Sequence, residues 1–190
     1  MFSPVDSAAL MDFKKIKDAA FKNGQDIHAA TAAKVFNVAL DDVTREQRSA
    51  AKAVNFGIVY GISDYGLSRD LDIPIFESRE YIETYFAKYP KVKAFLDLTV
   101  AKAYDDGFVT TMYNRKRLIP ELSSSNYMQR QGGERIAMNT PIQGSAADIM
   151  KIAMVKVYNR LIKEQLDAKL ILQVHDELII ETSLEHKDLV

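Results

Sequence analysis

Four side chains recur at every fourth position of the segment RSAAKAVNFGIVYG, and on a helix this spacing places them along one face. The four are Arg48, Lys52, Phe56 and Tyr60. Each four-residue step advances a helix by about 400°, so the set drifts by only about 120° and shares one face. At roughly 1.5 Å per residue this face is about 18 Å long. We name these four side chains the ladder, and we predict that they lie on a helix over Thr44 to Tyr60.

The ladder is chemically graded, with two cations at one end and two aromatic rings at the other. Like charges four residues apart destabilise an isolated helix, so an anion between Arg48 and Lys52 would relieve that repulsion. A phosphate suits this end, and the rings offer a flat surface on which a nucleobase can stack. The alternative is an ordinary helix with a solvated basic face and two core aromatics.

The remaining pattern predicts an α+β fold that is mainly helical. The first part of the chain has helical segments, Gly61 ends the ladder helix, and short strands and a hairpin come later. Helices are predicted at Asp26 to Phe36, Ile75 to Tyr89, Val92 to Asp105 and Gly132 to about Lys163, the last broken by Pro141; strands are predicted at Phe108 to Tyr113 and Lys116 to Ile119.

Composition excludes several classes of protein. A chain of 190 residues with 47% hydrophobic and 27% charged residues can bury a core, so disorder is not expected. It has no cysteine and only three histidines, which excludes disulfides and a thiolate or imidazole metal cluster. Any metal must then be held by oxygen atoms. No apolar run approaches the roughly 20 residues that span a bilayer, and we expect a cytoplasmic protein.

Two adjacent carboxylates, Asp176 and Glu177, stand between the apolar runs LILQV and LII. The runs predict a buried hairpin with strands Leu170 to Val174 and Leu178 to Glu181. Carboxylates against an apolar sheet repel each other and lose hydration, which a hard divalent cation such as Mg²⁺ would offset. The alternative is a surface turn that is acidic by chance.

Two-metal phosphoryl transfer needs carboxylates that bridge both ions, and a second acidic strand to supply them is not found. The other candidates lie in an apparent loop after the ladder helix, or on or just after a helix. They are Asp64, Asp70 and Asp72 in the loop and Asp97, Asp105 and Asp106 at the helix.

A third set, Arg135, Asn139 and Gln143, is again spaced by four on a predicted helix. Amide and guanidinium donors suit the minor-groove acceptors that every base pair presents, so this row would sense pairing geometry without reading sequence. The alternative is a polar helix face without a ligand.

Taken together, these segments resemble the family A DNA polymerases, the bacterial DNA polymerase I type. The resemblance covers roughly residues 18 to 185 and rests on five stretches in family order: DIHAATAAKVF, REQRSAAKAVNFGIVYG, YNRKRLIPEL, ERIAMNTPIQGSAADIM and QVHDELIIE. It implies an α+β architecture of polymerase fingers helices and part of a palm with an antiparallel hairpin. It places the fingers in residues 1–125, with the first dozen residues open, and the partial palm with the hairpin in residues 126–190.

The resemblance also implies roles for individual residues. The triphosphate ligands would be Arg48 and Lys52, with Phe56 beside the incoming sugar and base. The ring of Tyr60 would stack at the template position and help to exclude ribonucleotides. The implied DNA contacts are Arg135, Asn139, Gln143 and His175, with His175 at the primer end. The implied catalytic residues are Asp176, Glu177 and Lys52, of which Asp176 and Glu177 would be metal ligands in a two-Mg²⁺ site.

This sequence departs from the family pattern in one respect that matters for the chemistry. The family motif resembling D-Y-S-x-x-E, which supplies the other metal-bridging aspartate, is not found before DIH. We therefore expect a fragment without thumb or complete palm, and a Mg²⁺ site that is incomplete.

Three functions are consistent with these residues. The first is template-directed DNA synthesis in replication or repair, with primer-template DNA and deoxynucleoside triphosphates as partners, in which the isolated chain is inactive. The second is a non-catalytic nucleotide- or DNA-binding module that complements a separate polymerase fragment. The third is a helical scaffold in which these motifs remain but no longer bind a ligand.

Overall fold

The computed structural model describes residue 24 and residues 26–190, and it is mainly helical with two small antiparallel hairpins. We number the elements within these residues in chain order. The α-helices are α1 (Ile27–Phe36), α2 (Arg45–Val59), α3 (Asp64–Leu71), α4 (Ile75–Lys88), α5 (Pro90–Asp106), α6 (Tyr127–Asn139) and α7 (Ser145–Lys163). The strands are β1 (Phe108–Thr110), β2 (Lys116–Leu118), β3 (Ala168–Val174) and β4 (Glu177–Thr182). The α+β fold class predicted from the sequence is thereby confirmed.

The chain divides into two compact units. The first unit contains the described residues up to Val109 together with Lys116–Thr140, and the second contains Thr110–Arg115 and Pro141–Val190. The first unit therefore holds α1 to α6, and the second holds α7 and the β3–β4 hairpin. The predicted division into fingers and partial palm at residue 125 remains a prediction.

The first unit is built around two apolar clusters. The larger cluster joins α2 to α5 and contains Val54, Ile58, Leu67, Tyr85, Tyr89, Phe95 and Leu96. The smaller cluster contains Ala103, Val109, Ile119, Leu122 and Ala137. Burial of the phenol raises the pKa of Tyr85 well above its usual range. Hydrophobic packing in these two clusters thus fixes the buried sides of the helices.

Several helix boundaries follow from local chemistry. The Asp26 carboxylate caps α1 by accepting from the backbone N–H groups of His28 and Ala29. Thr44 and Gln47 form a capping box at the start of α2. Gly61, at φ 66°, follows the end of α2, as predicted. A backbone at positive φ favours glycine because an ordinary side chain would be strained there.

One helix was not predicted. The sequence predicts a loop that contains Asp64, Asp70 and Asp72, but Asp64–Leu71 is helical and Asp72 is its left-handed cap. The Ser63 hydroxyl accepts from the Gly66 N–H, so the start signal was present in the sequence as a serine followed by an acidic first turn. The loop assignment was wrong because a helix of eight residues shows too little periodicity to stand out.

The long helical pattern after residue 126 is divided by a π-helix at Thr140–Gly144. Pro141 lies within it, in agreement with the predicted break. Proline has no N–H and crowds the preceding turn, and a wider turn accommodates both effects. Helix α6 begins earlier than the predicted Gly132, because Asn126 caps it with bonds from the N–H groups of Met128 and Gln129.

The second unit has a polar rather than an apolar centre. The buried side chains Thr111, Ser145 and Asp148 lie there, and Leu161 is its buried hydrophobic residue among those described. Arg115 Nε donates to Asp148 Oδ1 at 2.6 Å, and the Met112 N–H donates to Ser145 Oγ at 2.9 Å. These bonds fasten the 110–115 turn to the start of α7. The Thr111 hydroxyl and then the Arg115 guanidinium hold the pKa of Asp148 below its usual range.

Candidate functional site

The ladder lies on the exposed side of α2. Phe56 is 51% exposed and Tyr60 46%, and the two cations are also exposed. The opposite side of the helix enters the core through Val54 and Ile58, which are 2% and 4% exposed. Tyr60 caps the helix, and its N–H still bonds to the Phe56 carbonyl, so the helical path continues through it. The two rings are therefore surface groups, contrary to the alternative that made them core aromatics.

A cavity of about 360 Å³ adjoins the aromatic end of the ladder. It lies within the first unit, and its lining includes Phe56, Tyr60, Ile62, Asp70 and Arg135. Part of its wall is a close approach between α6 and the end of α2, where a Cβ built on Gly61 would lie 3.0 Å from Arg135 Cγ. A side chain at position 61 would therefore crowd α6 beside this cavity.

The cationic end of the ladder is bordered by residues of α1. Arg48 Nε donates to Asp26 Oδ2 at 2.6 Å. The His28 ring lies 5.6 Å from the Phe56 ring, centroid to centroid, and its Nδ1 is 3.2 Å from Asn55 Nδ2. Among the described residues, no ion pair includes Lys52.

The sequence patterns do not mark Asp26 or His28 as site residues. The Asp-Ile-His sequence indicated only a helix start, because contact between α1 and α2 is a tertiary feature. The Arg48 guanidinium is the main reason why the pKa of Asp26 falls below its ordinary 3.8, and the N–H groups of Ala29 and His28 add to the effect.

The row Arg135, Asn139 and Gln143 is not one continuous α-helical stripe. Arg135 and Asn139 lie on α6 in the first unit, whereas Gln143 lies in the π-helix and belongs to the second unit. Arg135 and Gln143 are exposed, and Asn139 is half-buried. Asn139 Oδ1 is buried, with no hydrogen-bond partner among the described residues. The even spacing by four is broken by the wider turn, so a common face for the three remains a prediction.

The acidic pair lies at the predicted hairpin. Strands β3 and β4 are antiparallel, Val174 pairs with Glu177, and His175 and Asp176 form the turn. His175 has φ 53°, a left-handed backbone that is uncommon for residues other than glycine. Tight hairpin turns favour Asn-Gly or Asp-Gly, so the left-handed histidine strains this turn. All three of His175, Asp176 and Glu177 are exposed.

The prediction that this hairpin is buried was wrong. Ile171 is 57% exposed, Leu172 53% and Ile179 45%. A two-stranded hairpin has two faces, and burial of its apolar residues requires a covering layer that α7 provides only in part. The apolar runs predicted the two strands correctly, but they did not predict what packs on them.

The carboxylates fit only part of a divalent metal site. Asp176 and Glu177 offer hard oxygen donors of the kind that Mg²⁺ prefers. Within residues 24 and 26–190 there is no group of three or more His, Cys, Asp or Glu side chains placed to hold a metal ion. A two-Mg²⁺ site that includes the hairpin, and its incompleteness, therefore stay predictions. In the same residues, no helix has the length and apolar character needed to cross a membrane.

Comparison with known proteins gives consistent results. The family model for DNA polymerase family A matches residues 8–190. The DNA polymerase I of Caldicellulosiruptor bescii is 62% identical over 171 residues, which is 90% of this chain and 20% of that protein. The DNA polymerase I of Geobacillus stearothermophilus is 54% identical over 166 residues, which is 87% of this chain and 19% of that protein. The chain thus spans about a fifth of the length of these relatives.

A solved structure is similar over the same extent. It is the POL domain of Pol1 from M. smegmatis in complex with DNA primer-template and dNTP. The TM-score is 0.82 at 42% sequence identity, and the match covers 90% of this chain and 30% of that one.

Proposed function

Because this chain belongs to DNA polymerase family A, we propose that it contributes a triphosphate-binding helix and an acidic hairpin to template-directed DNA synthesis. In this reaction a primer 3′ hydroxyl attacks the α-phosphate of a deoxynucleoside triphosphate and pyrophosphate leaves. The observation that carries the proposal is the ladder itself: two cations and two rings exposed on one side of a helix whose other side is fixed in the core. Residues 1–125 would serve as fingers and residues 126–190 as part of the palm, in a cytoplasmic enzyme of replication or repair.

The ladder residues divide the nucleotide between them. Arg48 and Lys52 bind the triphosphate, since charged hydrogen bonds to phosphate are about twice as strong as neutral ones. Phe56 lies beside the sugar and base. Tyr60 stacks at the template position and restricts the sugar to a deoxyribose. Lys52 assists the chemistry by offsetting charge on the leaving phosphates.

The DNA contacts come from the polar row and the hairpin. Arg135, Asn139 and Gln143 donate to minor-groove acceptors, which are common to all base pairs, so correct pairing is sensed without a sequence preference. His175, held at the hairpin turn, supports the primer end. The M. smegmatis relative was solved with primer-template DNA and dNTP, which supports these ligand classes for the present chain.

Mg²⁺ would be held by Asp176 and Glu177, the hard oxygen donors at the hairpin turn. Bound there, Mg²⁺ would supply activation of the attacking hydroxyl and offset charge on the phosphates. The described residues include no group of three or more His, Cys, Asp or Glu side chains placed to hold a metal ion. We therefore propose that these 190 residues alone do not polymerise DNA.

Nucleotide binding is tested by thermal unfolding of the chain with a deoxynucleoside triphosphate and Mg²⁺. A ligand at 100 times its dissociation constant stabilises the folded state by about 2.7 kcal/mol, so the melting temperature should rise by several degrees. Arg48→Ala and Lys52→Ala should each abolish most of this rise. Lys102→Ala, which removes an exposed cation from α5, is the control and should keep it. No shift with either nucleotide or primer-template would favour the scaffold instead.

Inactivity is tested by a primer-extension assay with the purified 190-residue chain. We expect no extension. Measurable extension that is abolished by Asp176→Asn would contradict the proposed inactivity. It would not contradict the proposed nucleotide site.

A second candidate is a nucleotide- or DNA-binding module that completes a separate polymerase fragment. It is favoured by the apolar surface of the second unit, where the exposed α7 residues Ile149, Val155, Tyr158 and Ile162 add to those of the hairpin. Mixing the chain with a polypeptide that carries the missing palm strand should then restore extension. Failure of the mixture to bind or extend would exclude this candidate.

A further inference from the structure

The carboxylate of Asp26 makes two different contacts with its two oxygens. Oδ1 accepts from the His28 N–H at 2.8 Å and the Ala29 N–H at 3.2 Å, which caps α1. Oδ2 accepts from Arg48 Nε at 2.6 Å. The cap fixes the carboxylate on α1, so the second oxygen is presented to the cationic end of the ladder by a rigid element.

This contact involves Arg48, a cation that binds phosphate in the proposed function. Arg48 and Lys52 stand four residues apart on α2 and repel each other. An anion relieves that repulsion, and in the structure the anion beside Arg48 is Asp26. The carboxylate oxygen and a phosphate oxygen are alike in charge and in the hydrogen bonds that they accept from a guanidinium.

Resting on the proposed function, we propose that Asp26 is an internal competitor of the triphosphate: its carboxylate holds Arg48 in the free protein and is displaced when phosphate binds. A ligand must therefore bind Arg48 more strongly than Asp26 does before it can displace the carboxylate. A deoxynucleoside without phosphates makes no use of Arg48 and gains nothing from the release.

The size of the effect follows from the exposure of the pair. The side chains of Arg48 and Asp26 are 46% and 40% exposed, so the pair is a surface ion pair. Such pairs contribute little, and the loss of this one should tighten triphosphate binding by about two- to fivefold. The effect is small enough that it must be isolated by a thermodynamic cycle.

The substitution Asp26→Asn separates the two roles. Asparagine caps helices about as well as aspartate, so the side-chain oxygen in D26N still accepts from the N–H groups of His28 and Ala29. The remaining atom is then an amide nitrogen, which cannot accept from Arg48. Asp26→Ser provides a second variant that keeps a cap and lacks the charge. Asp64→Asn is the matched control, because it removes an aspartate that bonds to Arg79 at another helix start.

Calorimetric dissociation constants for dATP with Mg²⁺ are measured for the 190-residue chain and for D26N, Asp26→Ser, R48A, D64N and the D26N/R48A double variant. We expect D26N and Asp26→Ser to bind dATP about two- to fivefold more tightly, and D64N to bind like the unsubstituted chain. The gain should vanish in the R48A background. Deoxyadenosine should bind all variants equally. Circular dichroism checks that each variant keeps its helix content.

The outcomes separate this inference from the proposed function. If R48A weakens dATP binding but D26N does not tighten it, the competitor role is wrong and the triphosphate site stands. If D26N tightens binding equally with and without Arg48, the effect is general charge and the inference fails. If R48A binds as well as the unsubstituted chain, or if no variant binds dATP, the proposed site itself is wrong.

A nucleotide-free measurement gives an independent result. The Nε–H resonance of Arg48, identified by its loss in R48A, should shift in D26N because its acceptor is gone, and should not shift in D64N. The absence of a shift in D26N would show that the contact is not formed in solution and would overturn the inference.

Discussion

The ladder helix and the acidic hairpin both carry predicted site residues, but they hold them in different ways. Helix α2 has a buried side in the larger apolar cluster and an exposed side that carries the ladder. The β3–β4 hairpin has exposed residues along most of its length, with its acidic pair at one end. A side chain is positioned by what packs behind its backbone, so α2 fixes its site residues within this chain. The hairpin relies on strand pairing and a strained turn.

The largest expected difference comes from one substitution made in both regions. Ile58→Ala removes a side chain that is 4% exposed in the core, and should lower the free energy of unfolding by about 2–5 kcal/mol. Ile171→Ala removes one that is 57% exposed, and should change it by no more than about 0.5 kcal/mol. Urea denaturation followed by circular dichroism measures both. Equal losses would show that the hairpin is packed in solution as firmly as α2.

The glycine that ends the ladder helix gives the next largest effect. Gly61 and Gly107 both have positive φ, at 66° and 74°, so alanine at either costs about 1–2 kcal/mol in backbone strain. A Cβ at Gly61 would also lie 2.5 Å from Met138 Cε, whereas a Cβ at Gly107 meets nothing within 4 Å. We expect Gly61→Ala to be the more destabilising of the two in thermal unfolding. The reverse order would mean that α6 does not approach the end of α2.

The strained turn of the hairpin predicts a stabilising substitution. His175 has φ 53°, and glycine adopts this region without steric cost. His175→Gly should therefore slow amide hydrogen exchange in β3 and β4 by a factor that corresponds to about 0.5–1 kcal/mol. Faster exchange after the substitution would show that the histidine side chain stabilises the turn.

The smallest effect is the acid response of the ion pairs in the first unit. A hydrogen bond from the Arg79 side chain is the main reason why the pKa of Asp64 lies below its ordinary 3.8, and Arg48 has the same effect on Asp26. A lowered pKa means that the unfolded chain binds the proton more readily than the folded chain. The contribution of the ion pair to stability is therefore present above pH 3.8, and it is lost as the pH falls through the lower pKa of the folded state. Asp64→Asn should make the unfolding free energy less dependent on pH below about 4. An unchanged slope would contradict this, and because both pairs are exposed the change should be small.

Sequence patterns predicted local structure well wherever a residue type has a local cause. The helix start at Asp26, the helix over Thr44 to Tyr60 and the stop at Gly61 were all predicted, because helix ends depend on near neighbours. The break at Pro141 was also predicted, but not its form as a π-helix. The π-helix changes the angle around the helix axis between Asn139 and Gln143. The predicted row of Arg135, Asn139 and Gln143 is therefore not evenly spaced on one α-helix.

The features that escaped prediction are tertiary. Asp26 and His28 border the ladder because α1 packs on α2, and no local pattern reports that contact. The hairpin was predicted to be buried because its runs are apolar, yet burial depends on a covering layer and not on the strand alone. The four-residue spacing of the ladder determined which side chains share a face, since helix geometry is local. Whether that face was exposed, and which carboxylate met Arg48, was decided only when separate helices packed together, because burial and ion pairing arise between elements distant in sequence.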